Sequence, residues 1–358
     1  MSVAKIINPI SQSSNCTGTL QAPGKGLLTV STSVADPQNM LGKYFGKNAY
    51  KKKWSPKVQN AELPIILGYP CDTGSGIVRG SAYGPVFLRE ALYSKAPLYS
   101  VNDFGDIPVV PQLLHDSMLN TKQIKATREY LYKNFAGPVS PLSILENTLV
   151  EIIRANPNAK TFVMGGDHSA AGAIMRAYKK TGRTKKLALL QIDAHTDLLH
   201  ERFGVENCFA TWTANAMPYF ANPKAVVQVG LRASGKPKSY WQKEFGLLQY
   251  WTKELQNKSA VKFADTLITQ WEKLGCDTLY ISNDIDGTDS REAPCTGTPE
   301  INGLKSKWLC KLLTRLSSKM NVIGMDIVEV APVLHSKSDQ KKTIKTAVDQ
   351  ILAVDWNA

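Results

Sequence analysis

From about Glu62 onward, short apolar runs alternate with segments in which apolar residues recur every three or four positions. The runs at 63–67, 161–164, 187–192, 225–229, 278–282 and 322–325 predict buried β-strands. Helical periodicity lies between them, over 86–92, 170–180, 260–274, 305–318 and 341–353. Another helix is expected to start at Pro141, after Ser140, and to run to Asn156-Pro157. Leu142, Leu145, Leu149, Ile152 and Ile153 are spaced to form its buried face. Repeated strand-helix alternation predicts a parallel sheet with helices on both faces. No internal repeat or interdomain linker interrupts it, so residues 61–358 read as one catalytic domain preceded by an extension, 1–60.

Composition narrows this picture. The 358 residues are 43% hydrophobic and 20% charged, ordinary for a globular chain with an ample core. No apolar run is long enough to span a membrane, and the opening MSVAKIINPI lacks a secretory block, so a cytoplasmic location is expected. The formal charge of +13 is concentrated: residues 1–60 hold eight lysines against a single acid, Asp36, and so carry +7 of it. That leaves the body only mildly basic, which argues against a nucleic-acid partner, and Lys51–Lys53 beside Trp54 read as a solvated run. The extension contains no arginine, unlike organelle transit peptides. Cys16, Cys71, Cys208, Cys276, Cys295 and Cys310 form no CxxC pair and read as reduced thiols.

The chemistry lies where apolar runs end. In LLQIDAHTDL (189–198) alternate spacing lets Asp193, His195 and Asp197 converge as the strand leaves the sheet. Three other strands end alike, in GGDHS (165–169), NDID (283–286), and the segment carrying Asp326 and Glu329. Ligands of open parallel sheets bind outside the carboxyl ends of the strands, so these groups are expected to face one crevice. His168, Asp193, His195, Asp197, Asp284 and Asp286 make an oxygen-rich set, suited to Mn²⁺ (or Fe²⁺, Co²⁺) rather than to structural Zn²⁺. Six side chains exceed the needs of one ion. With Asp193 and Asp284 bridging, two ions ~3.5–4 Å apart can acidify a shared water, which implies a hydrolase. Asp167 and Asp326 read as supporting or loop-capping groups rather than ligands.

Taken together, these motifs resemble the ureohydrolases: arginases, agmatinases, guanidinobutyrases and formimidoylglutamases. The resemblance spans roughly 63–353 and rests on GGDHS, DAHTD (193–197), SNDIDGTD (282–289) and GMDIVEVAP (324–332), supported by RGSAYGPVFLREAL (79–92) and PCTGTPE (294–300). It implies an arginase-like three-layer α/β/α sandwich with a central, mostly parallel sheet and two Mn²⁺ ions. By motif position, one ion falls to His168, Asp193, Asp197 and Asp284, and the other to Asp193, His195, Asp284 and Asp286. The family's guanidinium-binding carboxylate falls on Glu329, and Asp197 takes the proton-transfer role. A small guanidino or amidine substrate, urea and an amine as products, and a trimeric or hexameric assembly are further implications.

Two departures shape the expected substrate. Many ureohydrolases carry a His-Gly about a dozen residues after DAHTD. Here the stretch is Glu206–Trp212 (ENCFATW), and no histidine occurs between His200 and His335. His200 and Cys208 are the nearest substitutes in sequence, and His335 is given no role. The arginase-like SGNxHG loop is also absent, and GLRASG (230–235) lacks the acids that arginases carry there. An agmatine-like or guanidinoalkanoate substrate is therefore expected ahead of arginine, with formimidoylglutamate or another amidine as the alternative. Phe209, Trp212 and Trp241 would suit as an apolar lining for its tail. A catalytically weak relative, binding a partner through 1–60, is a further reading that the intact six-ligand set argues against.

Overall fold

The computed structural model describes residues 20–27, 37–46, 54, 56–129 and 136–357. Eight strands form one sheet: β1 Ile65–Tyr69, β2 Asp103–Asp106, β3 Thr161–Gly165, β4 Leu187–Ile192, β5 Val226–Leu231, β6 Leu248–Trp251, β7 Thr278–Asp284 and β8 Asn321–Val328. Their spatial order is β2-β1-β3-β8-β7-β4-β5-β6, with every neighbouring pair parallel. β1, β3, β4 and β5 are buried along their whole length, which is why they read as near-continuous apolar runs.

Six strands fall where the sequence predicts them, with shifted ends. β1 begins two residues later than expected, while β7 and β8 run on to Asp284 and Val328. The two unpredicted strands, β2 (DFGD) and β6 (LQYW), are the two edges of the sheet. Each has a neighbouring strand of the sheet on one side only, is four residues long, and shows no apolar run.

Helices pack in two groups, completing the α/β/α sandwich. Pro141–Ala155 lies against Ser169–Lys180, which in turn meets Trp212–Ala216. Ala260–Lys273, Ser306–Ser317, Lys337–Leu352 and Gly84–Lys95 form the other group, each in contact with the next. Pro141 occupies the first turn of its helix, where no amide donor is needed, and Leu142, Leu145, Leu149, Ile152 and Ile153 are all buried as their spacing requires. Ser169–Lys180 buries Ala170, Ala171, Gly172 and Ala173, small residues on which Trp212 packs: a Cβ at Gly172 would lie 3.3 Å from the Trp212 Cβ.

Described parts of 1–60 rest on the β2 edge and its neighbours. Gln21 bridges Asp106, Leu27 bridges Val109, and Leu20 is buried. The helix Pro37–Phe45 packs on Gly84–Lys95 through a fully buried Leu41, and the Trp54 indole donates to the Phe104 carbonyl at 2.9 Å. Lys51–Lys53 and Cys16 lie outside the described residues. The other five cysteines are free thiols, and no described helix is long and apolar enough to cross a membrane.

Candidate metal centre and active site

Strand order decides where the chemistry gathers. β3, β8, β7 and β4 are consecutive in the sheet, so their carboxyl ends deliver four polar segments to one place. Gly166 permits the crossing there: a Cβ would lie 1.9 Å from the Cys71 carbonyl oxygen of the loop after β1.

His168 sits at the start of the helix Ser169–Lys180 and is completely buried. Its Nδ1 lies 3.2 Å from Asp193 Oδ2, 3.1 Å from Asp197 Oδ2 and 3.2 Å from Asp284 Oδ2. On the other side of the ring, Nε2 is 2.9 Å from Ser282 Oγ, which is itself 3.0 Å from both oxygens of Asp326. The serine hydroxyl donates to the acid, so it accepts from Nε2–H, and that tautomer turns the Nδ1 lone pair toward the three carboxylates. Nδ1 is buried and makes no hydrogen bond. Lone pairs at such distances repel unless a cation or a proton lies among them.

The second group is arranged around His195, whose Nδ1 is 3.0 Å from Asp286 Oδ2 and 3.6 Å from Asp193 Oδ1. Asp193 thus offers one oxygen to each histidine and is common to both candidate ligand groups, His168–Asp193–Asp284 and Asp193–His195–Asp286. Asp284 presents Oδ2 to His168 while its Oδ1 accepts from the Asp286 amide at 2.9 Å. All six sequence-predicted ligands are brought together.

Supporting hydrogen bonds fix these carboxylates. Gln191, at the end of the apolar β4 run, donates to Asp193 Oδ2 at 2.8 Å and accepts from Thr213 and Gln228. Gln249 donates in turn to Gln228, so three buried glutamines link β4, β5 and β6 behind the site. Asp286 accepts from the Ala194 amide and from Thr298 Oγ1, each at 3.0 Å. The sequence reading missed Gln191, Ser282 and Thr298. A glutamine in an otherwise apolar strand is the signal that could have found the first.

Two acids at the site adopt left-handed backbone, Asp197 (φ 50°) and Glu329 (φ 59°), a conformation that costs a non-glycine residue about 1–3 kcal/mol. Glu329 Oε1 accepts from the His168 amide at 3.0 Å, so its carboxylate lies at the positive start of a helix. Asp197 Oδ2 accepts from the Trp212 indole at 2.9 Å, and the Trp212 ring lies 4.9 Å from His168. Asp167 accepts from the Ser169 amide and hydroxyl, capping the loop as expected. Asp326 acts through Ser282.

Charge is concentrated beyond what the chain neutralises. Burial, and then the charge of Asp193, pushes Asp197 up to about 6. Asp284 is held well above the carboxylate range by burial and by Asp286 and Asp193, and Glu329 by burial and Asp167. Burial opposes charge on His168, yet its three carboxylate partners raise it well above the imidazole range. His195 rises to about 12: burial lowers it, but Asp286 and Asp193 prevail. Without an ion the cluster therefore holds protons, and divalent cations replace them. This donor set, with an orphaned buried ring nitrogen at its centre, fits two such ions.

A cavity of about 600 Å³ lies among the loops that flank the cluster, none of the six candidate ligands being among its lining residues. One of its walls is Gly74, where a Cβ would sit 2.8 Å from Ser169 Oγ and 3.2 Å from Asp167 Oδ1. Phe209 lines it, and its amide donates to the Gly74 carbonyl at 3.0 Å. Cys208 is also in the wall, its thiol raised by burial and so protonated at neutral pH. The other two expected lining residues do not line it. Trp212 turns to Asp197, and Trp241 packs between Tyr240 and Phe245 while donating to Ser234, because its amphipathic ring finds both apolar neighbours and an acceptor in the body. His200 is exposed and lies against Phe245.

Paired imidazole-carboxylate groups sharing one acid, at the mouth of a parallel sheet, form a candidate two-metal centre of the kind that supports hydrolysis. Residues 64–354 match the family model described as the arginase family, and the chain belongs to that family. It is similar to a guanidinobutyrase of Pseudomonas aeruginosa, 30% identical over 296 residues that cover 77% of this chain and 83% of the relative. An agmatinase of Bacillus anthracis is 27% identical over 324 residues, 87% and 97% of the two chains. The crystal structure of an arginase from Bacillus subtilis superimposes with a TM-score of 0.64 at 25% identity, covering 81% of this chain and 96% of that one. The chain is accordingly a hydrolase of carbon–nitrogen bonds in guanidino or amidine compounds, of a family whose enzymes are generally binuclear in metal.

Proposed function

We propose that the protein is a binuclear manganese hydrolase that cleaves a guanidino compound other than free arginine into urea and an amine. The observation that carries this reading is the buried Nδ1 of His168, unbonded and 3.1–3.2 Å from three carboxylate oxygens. His168, Asp193, Asp197 and Asp284 would hold one ion, and Asp193, His195, Asp284 and Asp286 the other. Bound there, two divalent cations lower the pKa of a shared water enough to supply hydroxide near neutral pH. The remaining work belongs to the chain. Glu329 offers a buried carboxylate to the planar guanidinium. Asp197 receives the nucleophile's proton and passes it to the departing amine nitrogen, while the Trp212 indole keeps that carboxylate oriented. With Cys208 held as a thiol and His200 at the surface, Asp197 carries the proton alone. The Arg232 guanidinium is committed to the carbonyls of Gly230, Asp286 and Glu300, which leaves GLRASG nothing acidic or free with which to read an amino-acid end.

The test uses full-length protein, stripped of metal and reloaded with Mn²⁺. Metal content is measured by mass spectrometry, and urea release from arginine, agmatine, 4-guanidinobutyrate, 3-guanidinopropionate and guanidine, with ammonia release from formiminoglutamate alongside. Two ions per chain and urea from a non-arginine substrate are expected. Ammonia from formiminoglutamate alone would move the substrate to amidines, and two ions with no product from any compound would sink the proposal.

A further inference from the structure

The cavity beside the metal centre is charged in the opposite sense to the centre itself. Two charged side chains line it, Arg79 and Arg202, and no acid does. Elsewhere Arg89, Arg176, Arg291 and Arg315 are each paired with a carboxylate, Arg128, Arg183 and Arg232 donate to backbone carbonyls, and Arg154 is exposed. Among the described residues Arg79 and Arg202 have no such pair. Arg202 lies instead over aromatic rings, 5.0 Å from the Phe209 centroid and 5.8 Å from that of Phe203. A guanidinium resting on an aromatic face keeps its planar edge of donors available, the geometry that grips a carboxylate with two parallel hydrogen bonds.

The backbone holds Arg202 in place. Arg202 and Val205 exchange both amide hydrogen bonds at 3.0 Å, closing a two-residue hairpin with Phe203 at φ 54° and Gly204 at φ 78°. Positive φ at both central positions is the tight turn that matches strand twist, although phenylalanine pays for it sterically. Phe203 is 95% exposed and also lines the cavity mouth, its ring lying against the Arg202 guanidinium.

We propose that Arg202, assisted by Arg79, forms a carboxylate-binding subsite, and that the substrate is an ω-guanidino acid rather than an amine-tailed guanidine. This rests on the hydrolase reading above. The site is then bipolar: the acids at the strand ends take the guanidinium, and the arginine-lined cavity takes an anionic tail. An ammonium tail meets two unpaired guanidinium groups and is repelled.

Three compounds of matched chain length separate the possibilities: 5-guanidinopentanoate, agmatine and neutral butylguanidine, each assayed for urea release by the manganese-loaded full chain and for binding by calorimetry. The acid is expected to exceed the amine in kcat/KM by roughly 10- to 100-fold, the size of one charge-assisted arginine pair. Arg202→Gln should lower the acid-to-butylguanidine ratio by the same factor, chiefly through KM. Arg202→Lys should restore part of it, and Arg202→Glu should shift preference toward agmatine. Equal turnover of acid and amine, or an unchanged ratio in Arg202→Gln, overturns the subsite. Calorimetric binding of the acid that depends on Arg202, with no urea from any of the three or from the wider panel above, supports the subsite and overturns the proposed urea-releasing reaction instead.

Discussion

Charge is buried in two places in this molecule, and the chain treats them differently. Beneath the β2 edge, Arg89 is fully enclosed and grips Asp103 through Nε and Nη2, at 2.7 and 3.0 Å, while Nη1 bonds Asp106. Tyr93 completes Asp103, and the Gly26 amide completes Asp106 at 3.1 Å. At the ends of β3, β4, β7 and β8, four aspartates surround two histidines with no arginine or lysine among their ion-pair partners, and the central ring nitrogen has no hydrogen bond. The first cluster is completed by the chain and ties the N-terminal segment to the sheet. The second is left short of positive charge, and it also holds the strained Asp197 and Glu329. Buried charge that the fold satisfies is architecture, whereas buried charge it leaves open marks where a cation must come from outside.

The widest separation between the clusters should come from Asp193→Asn. Removing the acid shared by both ligand groups is expected to empty the centre and to cut activity by more than about 100-fold, beyond the loss usual for a supporting partner. Metal analysis after desalting, beside urea release, tests this. Full occupancy with full turnover would remove Asp193 from the centre.

Arg89→Met addresses the other cluster. It strands Asp103 and Asp106 without their cation and should cost about 3–5 kcal/mol of stability in denaturant titrations of the metal-loaded protein. Metal per folded chain should stay unchanged. Adding Asp103→Leu and Asp106→Leu should return part of the loss, because an apolar replacement relieves the uncompensated charge. A metal defect in Arg89→Met would show that the clusters are not independent.

The smallest effect expected is a pH dependence of the metal's contribution. In the metal-free protein Asp197 keeps its proton up to about 6, Asp284 and Glu329 are likewise raised by burial and neighbouring acids, and His195 stays charged to about 12. The folded state thus binds more protons than the unfolded chain. The stability these groups contribute is complete at low pH, and it declines as pH rises from the ordinary carboxylate range through 6 and, for His195, from the ordinary imidazole range upward. The Tm gap between metal-loaded and metal-free protein should widen from about pH 5 to about pH 8 by calorimetry. A constant gap would mean that protons do not stand in for the ions.

Legibility followed local pattern. β3, β4, β7 and β8 could be read because each is a largely buried apolar run ending in acids or histidine. β2 could not, since DFGD is polar for a reason fourteen or more residues away, in Arg89. Trp212 read as a pocket aromatic because its indole partner, Asp197, is fifteen positions back on another element.

The sequence alone determined a parallel α/β sheet and the six candidate ligands at its strand ends, because strand periodicity and apolar runs are properties of neighbouring residues. Tertiary structure decided the rest. It set β3, β8, β7 and β4 side by side although β3 and β8 are far apart in the chain, and that order turns four strand ends into one centre. It also left Arg79 and Arg202 without carboxylate partners among the described residues while giving one to Arg89. Whether a charge is paired depends on what the fold brings within a few ångströms of it, and that distance is not written in the order of residues.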